Sequence, residues 1–325
     1  MASKIIGVEI GSDSLKFAVL SGGKAKAMAV ERLPDNLVRE GRIVNAAAMT
    51  DFVKSSLKKH GIRPAPCALV LPQQVVMARK ITMPMMSESE LELNLPYEFR
   101  DFVGKDASKY DYDYSVVSAQ NNSLELYAAA VRTEVVEEYY GVFQKAGMKL
   151  KAAMPAEMAW LNLIRKATNE PKKVCMIDLG ASMTRISIFA DEHYEMGRDI
   201  EIGGRDIDIA ISKNQDVDVH AARMHKESNL DNVLSSDYCG EVFSEISVEV
   251  MKVVNFYRSV AQGGNELQDL YYCGGSSEIE QIRTAILKRT NLNMHHIGRF
   301  VESDGLDDDV VLYCALAAGA AMQLQ

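Results

Sequence analysis

The chain has 325 residues, a formal net charge of −9, 47% hydrophobic residues and 25% charged residues. That length supports two or more domains with their own cores, and an acidic balance without a long Lys/Arg run argues against nucleic acid as a partner. No apolar run reaches the roughly 20 residues needed to span a bilayer, which argues against direct membrane insertion.

The N-terminus, Met1-Ala2-Ser3-Lys4, leads straight into a strand and reads as lacking a signal peptide. The cysteines (Cys67, Cys175, Cys239, Cys273, Cys314) form no C-x-x-C pair and read as small core residues in a reducing compartment, cytoplasmic by default.

The first predicted elements are strands at Ile5–Ile10 and Leu15–Leu20. The turn between them, Glu9-Ile10-Gly11-Ser12-Asp13-Ser14-Leu15-Lys16, has the form of a phosphate cradle. Its acid at the strand end is placed to hold a metal through water. Its glycine permits close approach, and successive N–H groups can face an anion. A third strand near Lys26–Arg32, a helix over Ala46–His60 stopped by Gly61, and a strand Cys67–Leu71 ended by Pro72 complete a β-β-β-α-β half.

The texture then changes. Gln74–Met83 reads as a strand, and Ser87 opens a helix that continues toward Phe102, with Ser87 and Glu90 as a capping box and Pro96 as a kink. Tyr110-Asp-Tyr-Asp-Tyr114 alternates as a half-buried strand does; Leu124–Val131 is a second strand, and Glu134–Ala146 a helix. This strand-helix-strand-strand-helix block reads as an inserted subdomain. The first half resumes with a helix at Ala156–Ala167, and Glu170-Pro171-Lys172-Lys173 marks a boundary.

The cradle then returns as Asp178-Leu179-Gly180-Ala181-Ser182-Met183-Thr184-Arg185. The copies align without a gap, Glu9 with Asp178, Gly11 with Gly180 and Lys16 with Arg185, and two facing copies would grip a phosphate–magnesium unit from both sides. A strand at Tyr194–Ile202 leads through Gly203-Gly204 into a helix at Arg205–Ile211. Lys213–Asp237 is weakly patterned, with a short helix near Val219–Ser228, and a long amphipathic helix follows at Glu241–Val260. Strand Leu270–Cys273 runs into Gly274-Gly275-Ser276, a turn opening a helix at Ser277–Arg289, whose dipole favours phosphate. Asp307–Asp309 cap an Ala-rich helix, Val310–Met322.

These motifs, in this order, resemble the phosphate-1, phosphate-2 and adenosine motifs of the actin-like ATPase superfamily. Within it the chain is similar to the PilM family of type IV pilus assembly proteins. The likeness rests on Glu9 in E-I-G-x-x-x-x-K, the insert running from Met83-Pro84 through Tyr97-Glu98-Phe99 to Asp113-Tyr114, and an ending at the Ala-rich helix.

The resemblance implies an α/β, actin-like (ribonuclease-H-like) two-domain fold. Subdomain 1A would comprise residues 1–74 and 151–171, and an SHS2-type subdomain 1C residues 75–150. Subdomain 2A would comprise 172–212 and 240–325, its last helix packing back toward 1A, with a reduced 2B at 213–239. It implies ATP and Mg²⁺ as cofactors, with Gly11, Ser12, Asp13, Ser14 and Lys16 on one side of the phosphates and Gly180, Ala181, Ser182 and Thr184 on the other. Glu9 and Asp178 would hold the metal, mostly through water, and Gly274, Gly275 and Ser276 would contact adenosine and the α-phosphate. Relatives carry E-x-x-K at the ribose. Here Arg223-Met224-His225-Lys226 keeps Lys226 and loses the acid, a change worth about 1–3 kcal/mol of recognition at a buried site.

The implied role is a cytoplasmic ATP-binding scaffold of type IV pilus assembly, recruited to the inner face of the cytoplasmic membrane, working with other pilus-assembly components. It would bind the N-terminal cytoplasmic tail of an inner-membrane PilN-like protein in a groove between 1A and 1C, drawing on Val75–Met86 and Glu88–Phe102. Any hydrolysis would be slow, with Glu157 as the one weak candidate for positioning water. The alternatives are an FtsA-like division or polymer-forming protein, a turnover ATPase or phosphotransferase, and a nucleotide-free adapter.

Plainer readings stand beside these. Both cradles are readable as simple hairpins of a degenerate relative, and Glu9 as a structural hydrogen-bonding group. His295-His296 reads as an exposed strand or loop pair, and Tyr110, Tyr112 and Tyr114 as one packed strand face. Met83, Met85 and Met86 read as a partner groove or as core.

Overall fold

A computed structural model describes residues 3–167, 170–171, 173–260, 267–303 and 305–325. Met1 and Ala2, which carry the signal-peptide reading, and Lys172 of the predicted boundary lie outside the described residues. The chain divides into two units, the first built from Met1–Arg165, Glu302–Leu306 and Leu316–Gln325, the second from Lys166–Val301 and Asp307–Ala315.

In the first unit, strands β1 (Lys4–Ile10), β2 (Ser14–Ser21) and β3 (Lys24–Arg32) form an antiparallel meander. A two-residue hairpin, β4 (Val38–Arg39) and β5 (Arg42–Ile43), leads to helix α1 (Ala46–Lys59). That helix is capped by the Asn45 side chain, which accepts from the Ala47 and Ala48 amides. Strand β6 (Cys67–Val70) adds parallel to β1, and β10 (Leu150–Met154) parallel to β6, giving the order β10-β6-β1-β2-β3. Six of the seven β1 residues are buried, as a central strand covered on both faces requires.

Between β6 and β10 comes the insert. Strand β7 (Val76–Pro84), helix α2 (Glu88–Glu98), the single turn α3 (Arg100–Val103), and strands β8 (Tyr110–Gln120) and β9 (Ser123–Arg132) form a separate sheet ordered β7-β9-β8. It has its own core of Ile81, Met83, Leu91, Leu95, Phe99 and Leu126, with the half-buried Tyr110, Tyr112 and Tyr114 packed against it.

Helix α4 (Thr133–Lys145), grouped with the insert in the sequence reading, belongs elsewhere. Its Val135, Tyr139, Val142 and Phe143 lie in the core of the five-stranded sheet with Met49 and Val53 of α1. Other corrections are local. A 3-10 turn, Gln73–Val75, precedes β7; β10 went unpredicted; and α2 runs straight past Pro96 and breaks at Phe99, whose amide bonds back to the Pro96 carbonyl. Helix α5 (Ala156–Lys166) closes this half.

The second unit repeats the plan. Strands β11 (Lys173–Leu179), β12 (Thr184–Ala190) and β13 (His193–Ile200) form the meander; helices α6 (Gly204–Gln215), α7 (Val219–Ser228) and α8 (Asp237–Val260) follow. Then come β14 (Asp269–Cys273), α9 (Glu280–Thr290) and β15 (Asn293–His296). The order β13-β12-β11-β14-β15, with the last two parallel to β11, matches the first sheet strand for strand. His295 and His296 sit half-buried in β15 rather than exposed, and His295 Nε2 lies 2.8 Å from Asp269. All five cysteines are buried, and burial pushes the thiols of Cys67 and Cys175 up to about 12.

Helix α10 (Asp308–Met322) has its first residues in the second unit and its last in the first. Its small residues have a specific reason. A Cβ on Gly7 of β1 would stand 1.6 Å from the Ala317 carbonyl oxygen, and one on Gly319 would stand 2.1 Å from that of Ala159. Backbone lies against backbone here, and Asn162 donates to the Gly319 carbonyl at 3.1 Å. Gly7→Val and Gly319→Val are each expected to cost at least about 3 kcal/mol in urea unfolding, whereas Gly141→Ala in α4, where a Cβ meets nothing within 4 Å, should cost nothing or stabilise.

Candidate functional site

Strand alternation puts Glu9 on the same side of β1 as Gly7, near the end of a strand buried in six of its seven residues. Register pairs Glu9 with Lys16 across the hairpin, and Lys16 Nζ lies 2.5 Å from Glu9 Oε1 with both side chains about nine-tenths buried. The turn closes through the Gly11 amide, which donates to the Ser14 carbonyl at 2.9 Å. Ser12 is the exposed tip.

The second copy reproduces this geometry. Register pairs Asp178 with Arg185, and the Gly180 amide donates to the Met183 carbonyl at 3.0 Å. The two glycine amides therefore close their own turns instead of facing an anion, which corrects the simplest reading of the cradle. The copies also differ in their charges. Lys16 of the first turn pairs with Glu9, whereas Arg185 Nε of the second donates to Asp199 on β13 at 2.9 Å.

In the second unit three glycine-bearing turns meet. The Gly180 carbonyl accepts from the Gly204 amide at 3.0 Å and from the Ser276 hydroxyl at 2.9 Å, while the Arg205 amide donates to the Ala181 carbonyl at 2.7 Å. Gly274, at φ +89°, backs onto the first turn so closely that a Cβ there would stand 2.2 Å from Asp178 Oδ1. A Cβ on Gly204 would stand 2.3 Å from Ser276 Oγ. These contacts bring Asp178, Gly180, Gly274 and Ser276 together as the sequence expects, and add Gly203-Gly204, which the sequence reading left as a helix lead-in.

Several predicted roles change. Thr184 is fully buried and its hydroxyl donates to the Ile202 carbonyl at 2.9 Å, so it fastens strand ends rather than lining a phosphate. The Gly-Gly turn opens a 3-10 turn, Gly275–Glu278, and α9 begins only at Glu280, so no α-helix N-terminus meets the chain at Ser277. Glu157, in the first turn of α5, is buried and accepts from the Tyr127 hydroxyl at 3.0 Å. That bond holds strand β9 to α5 and engages the carboxylate proposed for water positioning.

Lys226 on α7 reaches back to α6, lying 2.6 Å from Asp208 Oδ1 and donating to the Gly204 carbonyl at 2.7 Å. Asp208 was missed by the sequence reading, because only the fold brings its helix against α7. Arg223, standing where relatives have an acid, pairs with Glu227 at 2.7 Å. Burial pushes the Asp208 carboxyl above its usual range, and Lys226 and Arg223 draw it back.

The chemistry of this set fits a nucleotide. Gly203, Gly204 and Gly274 keep backbone bare where a side chain would collide, and one carboxylate stands at the strand end before each turn. Among the described residues no three of His, Cys, Asp and Glu gather as a metal cage, and a single carboxylate at each turn suits a cation that keeps most of its water.

The family model described as type IV pilus assembly protein PilM matches residues 7–311. A solved PilM–PilN type IV pilus biogenesis complex is similar at 22% identity and a TM-score of 0.86, covering 98% of this chain and 98% of that one. The ethanolamine utilization protein EutJ of Carboxydothermus hydrogenoformans follows at 13% identity and TM-score 0.62, over 98% and 88% of the two chains. MreB5 of Spiroplasma citri bound to AMPPNP shows 13% identity and TM-score 0.56, over 98% and 94%. The fold is thus actin-like, α/β with mixed sheets.

The buried pair allows a pH test. A carboxyl raised by burial favours the folded state in its neutral form, a contribution present at low pH and lost as pH rises through the folded value. Lys226→Met removes the opposing cation and raises Asp208 further. We expect it to cost about 3 kcal/mol in urea unfolding near neutral pH, the loss shrinking as the carboxyl protonates in acid. Asp208→Asn/Lys226→Met should recover most of that loss.

Proposed function

This chain belongs to the type IV pilus assembly protein PilM family, and from that premise we propose that it is an ATP-binding scaffold of the pilus machine. The observation that carries the nucleotide reading is the duplicated hairpin turn, with Glu9 and Gly11 in one unit and Asp178 and Gly180 in the other at identical register. Gly274 pressed against the second turn supports it.

In this reading Ser12, Asp13, Ser14 and Lys16 in the first unit, and Ala181 and Ser182 in the second, hold the phosphates. Glu9 and Asp178 hold Mg²⁺ through water. Bound Mg²⁺ would neutralise phosphate charge. Gly274, Gly275 and Ser276 border the adenosine. Lys226, held by Asp208, shapes the neighbouring wall through the Gly204 carbonyl. Lys16 is the residue that changes partner, leaving Glu9 for phosphate. No group is placed as a dedicated general base, and Glu157 is engaged by Tyr127, so turnover is slow at most.

The partner proposed is the N-terminal cytoplasmic tail of an inner-membrane PilN-like protein. The solved relative is a PilM–PilN complex, and among the described residues no helix is long and apolar enough to cross a membrane. The scaffold would therefore act in the cytoplasm, recruited to the membrane by that tail. We assign 1C to β7–β9 with α2 and α3, and place the tail between it and the five-stranded sheet of 1A. Met85, 45% exposed, is the methionine of the Met83–Met86 run available to a partner, since Met83 is core.

Thermal-shift titration tests both parts. A nucleotide at a hundredfold its Kd adds about 2.7 kcal/mol of stability, so ATP with Mg²⁺ should raise Tm by several degrees. Gly274→Val should abolish that shift while leaving the tail-peptide shift intact. Asp178→Asn, which alters no packing, should weaken only the Mg²⁺-dependent part. A tail peptide that gives no shift with or without nucleotide overturns the scaffold reading, and absence of any ATP shift overturns the nucleotide reading.

A further inference from the structure

Helix α2 and strand β8 enclose a groove of about 490 Å³ on the insert. Its rim carries Glu88 and Glu92 from the helix and Asp111 and Asp113 from the strand, all exposed, and no basic side chain lines it. Glu88 and Glu92 stand four residues apart on one helix face, a like-charge spacing that costs helix stability. Asp111 and Asp113 alternate with the tyrosines and lie on the other face of β8, opposite Val131 and Ala129 of β9, with Asp111 accepting from the Thr133 hydroxyl at 2.9 Å. Carboxylates therefore border the β8 edge from both faces, and α2 has no basic residue in its last turn to offset its own pair. The floor is different in kind. Tyr110, Tyr112 and Tyr114 present half-buried rings, and Arg132 already stacks its guanidinium 5.1 Å from the Tyr110 centroid. The Tyr114 phenol is pushed up by burial and by Glu88, Glu92 and Asp113, as expected where carboxylates converge on one ring.

The groove also runs along a strand edge. β8 is the outer strand of the order β7-β9-β8, with β9 on one side only, over eleven residues. An edge of that length is a template for an added strand. Acidic rims repel nucleic acid and anionic lipid. The carboxylates are also spread too far apart to form a metal cage among the described residues.

We propose that this groove docks an extended, Arg- and Lys-bearing peptide segment of a protein partner, added along the free edge of β8. Its backbone pairs with β8; cationic side chains on one face of the added strand meet Glu88 and Glu92 over the tyrosine floor, and those on its other face meet Asp111 and Asp113. The site does not rest on the pilus reading, since it needs neither nucleotide nor a membrane-anchored tail.

The test is fluorescence anisotropy of the full chain with a labelled ten-residue peptide of repeating Arg-Arg-Val-Val, which presents Arg on both faces of a strand. Binding should weaken steeply with salt. It should fall at least tenfold in Glu92→Gln/Asp113→Asn and stay unchanged in Glu241→Gln/Glu245→Gln, a control pair on exposed positions of α8. A peptide N-methylated at alternate residues should lose binding. No binding at low salt, equal loss in both double variants, or full binding of the methylated peptide would each overturn the proposal.

Discussion

The carbonyl oxygen of Gly180 is the point on which the second unit's site depends. It accepts from the Gly204 amide and from the Ser276 hydroxyl, and so joins three turns that are far apart in sequence. The approach is possible only because those turns are nearly bare of side chains. A carbonyl satisfied twice over is fixed in direction, and Gly274 packs its bare backbone against the Asp178 carboxylate beside it. Lys226 adds a further tie through the Gly204 carbonyl, held in turn by Asp208. Backbone carbonyls, tied by an amide, a hydroxyl and an ammonium, thus give the site its shape.

The first unit solves the same problem with fewer parts. Its hairpin turn has the same closing bond, Gly11 to Ser14, but after β6 the chain meets Leu71-Pro72 instead of a Gly-Gly turn. An ion pair, Lys16 with Glu9, occupies the strand end. A buried pair of this kind is weak evidence for stability. In the proposed reading it keeps Lys16 beside the turn, where an anion would take the place of Glu9. The duplicated strand order thus supports two turns of one design and two different electrostatic settings.

Much of this was legible in the sequence because it is local. The acid-x-Gly spacing recurs with the same strand pattern on each side, so register followed from period-two alternation. The capping box at Ser87 and the alternating Tyr110–Tyr114 strand were equally local, and the structure shows both. What could not be read depends on which surface an element meets. The spacing of α4 shows an apolar face but not whose core receives it. Asp208 and Lys226 lie on different helices and share no motif. The 3-10 turn at Gly275 arises where the Gly274 carbonyl accepts from both the Ser277 amide and the Ser277 hydroxyl, a competition that no pattern of hydrophobicity records. The insert is the reverse case, with Glu88, Glu92, Asp111 and Asp113 plain in the sequence and informative only once α2 and β8 lie side by side.

The central claim is that turns of one design in both units serve one nucleotide. Amide hydrogen exchange with and without ATP and Mg²⁺ tests it most directly. The account predicts added protection in peptides covering residues 9–16, 178–184 and 272–278 at a common nucleotide concentration. Protection confined to one of these segments, or to none, would contradict it.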